Sequence, residues 1–142
     1  EQADYLKLKT AELLYLLGRE ALRLCAPAAC AYYDSHQREA VRQAHDDMLA
    51  RLNEPITIAQ LADRHHLSQT LLKTCFRQVY GRSIHAFLRE QRLRKAAQLL
   101  ETTGLPVLQV AADVGYGSVS QFGQAFRRQY GVSPAQYRRI NG

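Results

Sequence analysis

At 142 residues the chain is long enough for one or two small cores, and 46% hydrophobic with 23% charged residues is the balance of a soluble globular protein. Its apolar runs are short, Leu13 to Leu17 spanning five residues and Ala28 to Tyr33 six, so the run of about 18 that a membrane span needs is absent. The net charge of +6 is unevenly laid: residues 1–53 carry 7 Lys+Arg against 8 Asp+Glu, a net of −1, and residues 54–142 carry 12 against 5, a net of +7. A basic half of that size fits a polyanionic partner, because cations beside phosphates release condensed counterions.

Residues 4–25 read as one long helix with Asp4 as N-cap and Leu6, Leu13, Leu17, Ala21 and Leu24 on one face. Pro27 ends it, and Ala26 to Ser35 is a connector. Asp34 or Ser35 starts a helix to about Asn53 with Val41, Ala44, Met48, Leu49 and Leu52 as its apolar stripe, broken by Asn53-Glu54-Pro55. Thr57 caps Ile58 to His65, and Ser68 caps Gln69 to Tyr80, whose Leu71, Leu72, Cys75, Phe76 and Val79 face inward. Gly81 sits where a left-handed residue ends a helix. Ser83 to Thr102 follows as a helix of roughly 20 residues, ~30 Å at ~1.5 Å per residue; Gly104 and Pro106 close it. Val107 to Val114 is the next helix, Gly115-Tyr116-Gly117 a turn, and Ser118 caps Val119 to Tyr130. Gly131 stops that helix, and Ser133-Pro134 opens a last one, with Pro134 at the first helical position that proline favours.

This order contains a repeat. Residues 56–89 can be laid without a gap on residues 106–139, with Ala62/Ala112, Asp63/Asp113, Ser68/Ser118, Phe76/Phe126, Arg77/Arg127, Tyr80/Tyr130, Gly81/Gly131, Ser83/Ser133 and Arg89/Arg139 identical. Each copy is a short apolar helix, a tight turn opening on Ser, and a second helix with Phe and Tyr inward and Arg at its far end. That is the sequence form of a helix-turn-helix. The expected fold is all-α and homeodomain-like, with two helix-turn-helix subdomains joined by a long connecting helix. Its expected division is a helical segment over 1–35, a first subdomain over 36–82, the connecting helix over 83–103 and a second subdomain over 104–142.

The run from Ala111-Ala112-Asp113-Val114-Gly115-Tyr116-Gly117-Ser118 to Phe122, continued by Phe126-Arg127-Arg128-Gln129-Tyr130-Gly131-Val132-Ser133-Pro134, closely resembles the signature of AraC/XylS-type transcription regulators. Ile58-Ala59-Gln60-Leu61-Ala62, Leu67-Ser68, Leu72, Phe76-Arg77 and Arg92-Leu93-Arg94-Lys95-Ala96-Ala97-Gln98-Leu99-Leu100 extend the resemblance over residues 37–140. It implies sequence-specific binding of double-stranded DNA by a bacterial regulator, an activator touching RNA polymerase. The second helix of each motif would enter the major groove. Carried over by position, Gln69, Thr70, Lys73 and Thr74 form the first reading head, and Ser120, Gln121 and Gln124 the second. Lys can donate to guanine, Gln can pair with adenine, and Thr offers a hydroxyl and a methyl. Ser68, Arg77, Arg82, Ser118, Arg127, Arg128, Arg138 and Arg139 are read as phosphate contacts, since positioning contacts make up at least half of protein–DNA hydrogen bonds. Arg92 is expected to pack between the motifs and pair internally, for example with Asp63 or Asp113. Many relatives carry Arg where this chain has Gln124, and a larger polar residue at Gly123, so the second head is expected to bind its half-site more weakly.

Competing classes have little to stand on. The adjacent His65-His66 cannot share a helix face, and no His-Glu-x-x-His, phosphate loop or nucleophile elbow is present, so no catalysis is expected. Cys25, Cys30 and His36 would make a Cys-x4-Cys-x5-His cluster suited to zinc, but the spacing is unusual and a fourth ligand is wanting; no metal or cofactor is assigned. The odd set of Cys25, Cys30 and Cys75 fits reduced thiols in the cytoplasm. The chain opens on Glu1 with no basic, apolar leader, and reads as a piece of something longer. The helix over 4–25, which must pack on something to be stable, is expected to belong to a preceding sensor and dimerisation region; a protein-interaction module is the alternative reading of that segment.

Overall fold

A computed structural model of the chain describes residues 33–142. The helix expected over 4–25, and with it Cys25 and Cys30, lies outside the described residues. Among the described residues every regular element is a helix: α1 (Ser35–Ala50), α2 (Ile58–Arg64), α3 (Gln69–Tyr80), α4 (Ile84–Thr102), α5 (Val107–Asp113), α6 (Val119–Tyr130) and α7 (Pro134–Asn141). None is long and apolar enough to cross a membrane.

Side chains at the helix starts set most of these boundaries by satisfying the amides that have no partner within a helix. Asp34 and Gln37 close a reciprocal capping box at 2.7 and 3.3 Å on α1, and Thr57 with Gln60 and Ser133 with Gln136 do the same on α2 and α7. Ser68, Ser83 and Ser118 cap α3, α4 and α6. Gly81 and Gly131 end α3 and α6 at φ 71° and 77°, a conformation that costs glycine nothing. Gly104 does not do this for α4. That helix ends on extended Thr103, whose amide and hydroxyl both donate to the Leu99 carbonyl.

Two apolar clusters form on one spine. Val41, Ala44 and Met48 of α1 and Leu61, Leu72, Cys75 and Phe76 pack with Ile84, Phe87 and Leu88 from the first half of α4. Val110, Ala111, Val114, Phe122 and Phe126 pack with Leu93, Ala96, Ala97 and Leu100 from its second half. The connecting helix is therefore a wall of both cores, which fixes one helix-turn-helix relative to the other.

The repeat is not gap-free in three dimensions. α3 and α6 are 50 positions apart, but α2 and α5 are 49 apart. Leu67 donates its amide to the Ala62 carbonyl, and the same bond in the second copy runs from Tyr116 to Ala111, both at 2.9 Å. Gly117 is the extra residue, held in the turn. The identities Ala62/Ala112 and Asp63/Asp113 are thus out of register: Ala62 is buried, Ala112 is exposed, and Ala111 fills the equivalent core position. In this register His66, at φ 55°, occupies the left-handed turn position that Gly115 takes at φ 87°.

α1 stops three residues before Asn53. The carbonyls this releases are bound by Arg92, whose Nε donates to Leu52 O at 2.7 Å and whose second terminal nitrogen donates to Glu54 O at 3.0 Å. Arg92 is thus internal as expected, but it holds backbone rather than Asp63 or Asp113. Gly115 closes the same junction, with the Leu52 carbonyl, Asn53 Cα and Arg92 guanidinium crowded where its Cβ would stand.

Candidate nucleic-acid interface

The polar side chains on the outer face of each second helix are all exposed: Gln69, Thr70, Lys73 and Thr74 on α3, and Ser120, Gln121 and Gln124 on α6. Thr74 turns its hydroxyl back to donate to the Thr70 carbonyl at 2.8 Å, leaving its methyl and oxygen lone pairs outward. Ser68 and Ser118 accept from the amides of Leu71 and Gln121 at 3.1 and 3.3 Å, so each is a helix cap first, with its O–H still available to donate. Gly123 has open space around it.

The basic side chains sort by whether the protein already holds them. Arg82 and Arg94 pair with Glu90, Arg51 and Arg64 with Asp47, and Arg42 with Glu39. Arg92 and Arg138 are bound by carbonyls, Arg138 by that of Leu105 in the loop before α5. Arg138, expected as a phosphate contact, is half-buried, and this bond ties α7 to the loop before α5. Arg82 is exposed but shares its charge with Glu90. By contrast Lys73, Arg77, Arg89, Lys95, Arg127, Arg128 and Arg139 make no hydrogen bond or ion pair among the described residues, and all of them are exposed.

Most of these uncommitted cations line a string of open grooves. Lys73, Thr74 and Arg77 share the first with His85. His85 shares the next with Arg89, Arg92 and Tyr116. Arg89 and Tyr116 in turn share a third with Gln121, Gln124 and Arg128. Both second helices thus open onto one face of the molecule, joined along α4. Burial raises the Tyr116 hydroxyl above its ordinary range, against the pull of Arg92 and Arg89, so it stays a neutral donor beside these cations.

His85 and Arg89 are members of this face that sequence reasoning did not assign. Arg89 was visible as the counterpart of Arg139 in the repeat; His85 carried no signal. His36, the described member of the Cys25-Cys30-His36 set, is exposed beside Glu39, Arg64, His65 and His66, and no cluster of possible metal ligands occurs among the described residues.

The family model described as "Helix-turn-helix domain" matches residues 61–140, more than half of the chain. The chain belongs to the AraC/XylS family of transcription regulators. It carries that family's DNA-binding domain. It is 41% identical over 85 residues to the HTH-type transcriptional regulator AlkR of Acinetobacter baylyi, a match over 60% of this chain and 28% of AlkR. It is 40% identical over 82 residues to the RCS-specific HTH-type transcriptional activator RclR of Escherichia coli K12, over 58% and 29% of the two chains. The chain therefore spans under a third of these curated relatives. Among solved structures it resembles the DNA-binding domain of AdpA, a global transcriptional factor, in complex with a target DNA, with a TM-score of 0.68 and 33% identity over 70% of this chain and 90% of that one.

Proposed function

We propose that this AraC-type domain binds double-stranded DNA at two successive major-groove segments on one face, with α3 and α6 as the reading helices. The observation that carries this is the continuous exposed face on which uncommitted cations and amide or hydroxyl side chains of both helices meet. Lys73 would donate to guanine O6 or N7, Gln69, Gln121 and Gln124 would pair with base edges through their amides, and Thr70 and Thr74 would meet thymine methyls. Arg77, Arg127, Arg128 and Arg139 would hold phosphates, helped by the Ser68 and Ser118 hydroxyls. Arg82 would join them through the guanidinium N–H groups that its pairing with Glu90 leaves over. With 19 residues, α4 is about 28 Å long, short of the ~34 Å between successive major-groove exposures, so the duplex bends toward the protein for both heads to dock. Gln124 reaches less far than arginine would, making α6 the weaker reader.

In this reading the chain is the DNA-binding part of a longer cytoplasmic regulator. A preceding region senses an effector and pairs two copies, and contact with RNA polymerase makes the protein an activator. The test is equilibrium binding of the purified chain to a duplex selected from a random pool and to its scrambled counterpart, over a range of salt. With Arg77, Arg127, Arg128 and Arg139 each neutralising a phosphate, log K should fall against log salt with a slope of about −4. A flat salt response, or equal affinity for both duplexes, contradicts the proposal.

Two substitutions separate reading from holding. Lys73→Ala is expected to cost about 1–3 kcal/mol and to relax preference at one base pair; an unchanged base-preference profile removes Lys73 from the reading head. Arg128→Ala is expected to weaken all sequences alike and to make the salt slope shallower by about one. A change of base preference in that variant would make Arg128 a reader instead.

A further inference from the structure

The uncommitted cations described above are not confined to the two heads. Arg89 lies on α4, where its neighbours are otherwise engaged: Glu90 holds Arg82 and Arg94, and Arg92 clasps the Leu52 and Glu54 carbonyls. Arg89 has no such acceptor among the described residues, and burying it would leave a charge unpaired. It lines both the groove shared with Thr57 and His85 and the groove shared with Gln121, Gln124 and Arg128, so it stands between the first motif and the second head. His85 extends the same line to the groove of Lys73 and Arg77. On a duplex docked against both heads, the stretch facing α4 between the two major-groove segments is the sugar–phosphate backbone bordering a minor groove.

We propose that Arg89, assisted by His85, is a third anchor: a clamp on the connecting helix that binds the backbone phosphates between the two half-sites. The clamp rests on the two-headed reading above and adds a contact without base selectivity at the centre of the site. It favours duplexes that bend toward α4, because only then do the central phosphates come within reach of a side chain fixed between the heads. Arg89 donates to phosphate through its guanidinium fork, and His85 through a ring N–H.

The experiment compares the parent chain with Arg89→Ala, Arg89→Lys and His85→Ala on three duplexes: one selected from a random pool, its scrambled counterpart, and the selected duplex with neutral methylphosphonates at the phosphates between the two selected blocks. On the selected duplex Arg89→Ala is expected to lose about tenfold in affinity, the size of one charge-assisted hydrogen bond, with the salt slope reduced by about one and base preference unchanged. Arg89→Lys should recover most of that loss, and His85→Ala should lose about threefold. On the methylphosphonate duplex the parent and Arg89→Ala should bind alike, while Lys73→Ala still binds more weakly than the parent. If the parent discriminates the selected from the scrambled duplex but Arg89→Ala matches it on both, the clamp is overturned and the two-headed reading stands. A changed base preference in Arg89→Ala, or a loss that persists on the methylphosphonate duplex, also overturns it. If the parent itself does not discriminate, the two-headed reading falls and the clamp falls with it.

Discussion

Phe126→Ala is expected to destabilise the protein by about 3–5 kcal/mol, the range for truncating a fully buried phenylalanine. The ring is completely enclosed, with centroids 5.6 Å from Phe122, 4.6 Å from Tyr130 and 5.3 Å from Tyr137, so its removal opens a cavity where α6 and α7 meet α4. Against a total stability of about 5–15 kcal/mol, that is a large share of what keeps the second motif folded. Thermal unfolding followed by circular dichroism should show a melting temperature lower by on the order of 15 °C. The first cluster keeps its own contacts, among them Phe76 with Tyr80 at 4.6 Å and Phe87 at 5.5 Å. The variant should therefore still protect the half-site read by α3 from cleavage while losing protection over the other. A shift below about 1 kcal/mol, or simultaneous loss of both protections with the first cluster intact, would show that the two cores do not support their heads separately.

Gly115→Ala is expected to cost about 2–4 kcal/mol, from two sources acting together. At φ 87° a Cβ is strained by on the order of 1 kcal/mol or more. The added methyl would stand 2.9 Å from the Leu52 carbonyl and 3.2 Å from Asn53 Cα and Arg92 Cζ, where little but backbone can yield. Gly117→Ala is the control, since nothing lies within 4 Å of its Cβ position and its φ is not in the left-handed region; it should fall within about 0.5 kcal/mol of the parent. Because Gly115 brings the second motif's turn against the end of α1, its substitution also shifts the spacing of the heads. Affinity for a two-block duplex should drop by more than affinity for either block alone. Equal denaturation midpoints for the two alanine variants would mean that this junction is not close-packed.

Much of the fold was legible because its boundaries are set by short-range chemistry. Thr57, Ser68, Ser118 and Ser133 announce their helices by spacing alone, and Gly81 and Gly131 mark the ends of α3 and α6 by the conformation only glycine takes freely. The two aromatic cores follow from the 3.6-residue periodicity of Phe76, Tyr80, Phe126 and Tyr130. What escaped was non-local or backbone-mediated. The slip at Gly117 is invisible because matching letters at Ala62/Ala112 and Asp63/Asp113 conceal a turn longer by one residue. Arg92 and Arg138 find carbonyls, which every residue owns and no sequence pattern advertises, whereas the carboxylates first considered for Arg92 are conspicuous but elsewhere. The candidate reading residues came from the resemblance and their exposure from the structure. Arg89 and His85 emerged only once α4 was seen to run between the two heads.

Selection of bound sequences from a random duplex pool at moderate salt shows whether one chain reads two stretches of duplex at once. Two short conserved blocks with centres about one helical turn apart, ~10 base pairs, and separated by positions free of base preference, are the expected result. A single block, blocks at variable spacing, or no enrichment over the starting pool would contradict it.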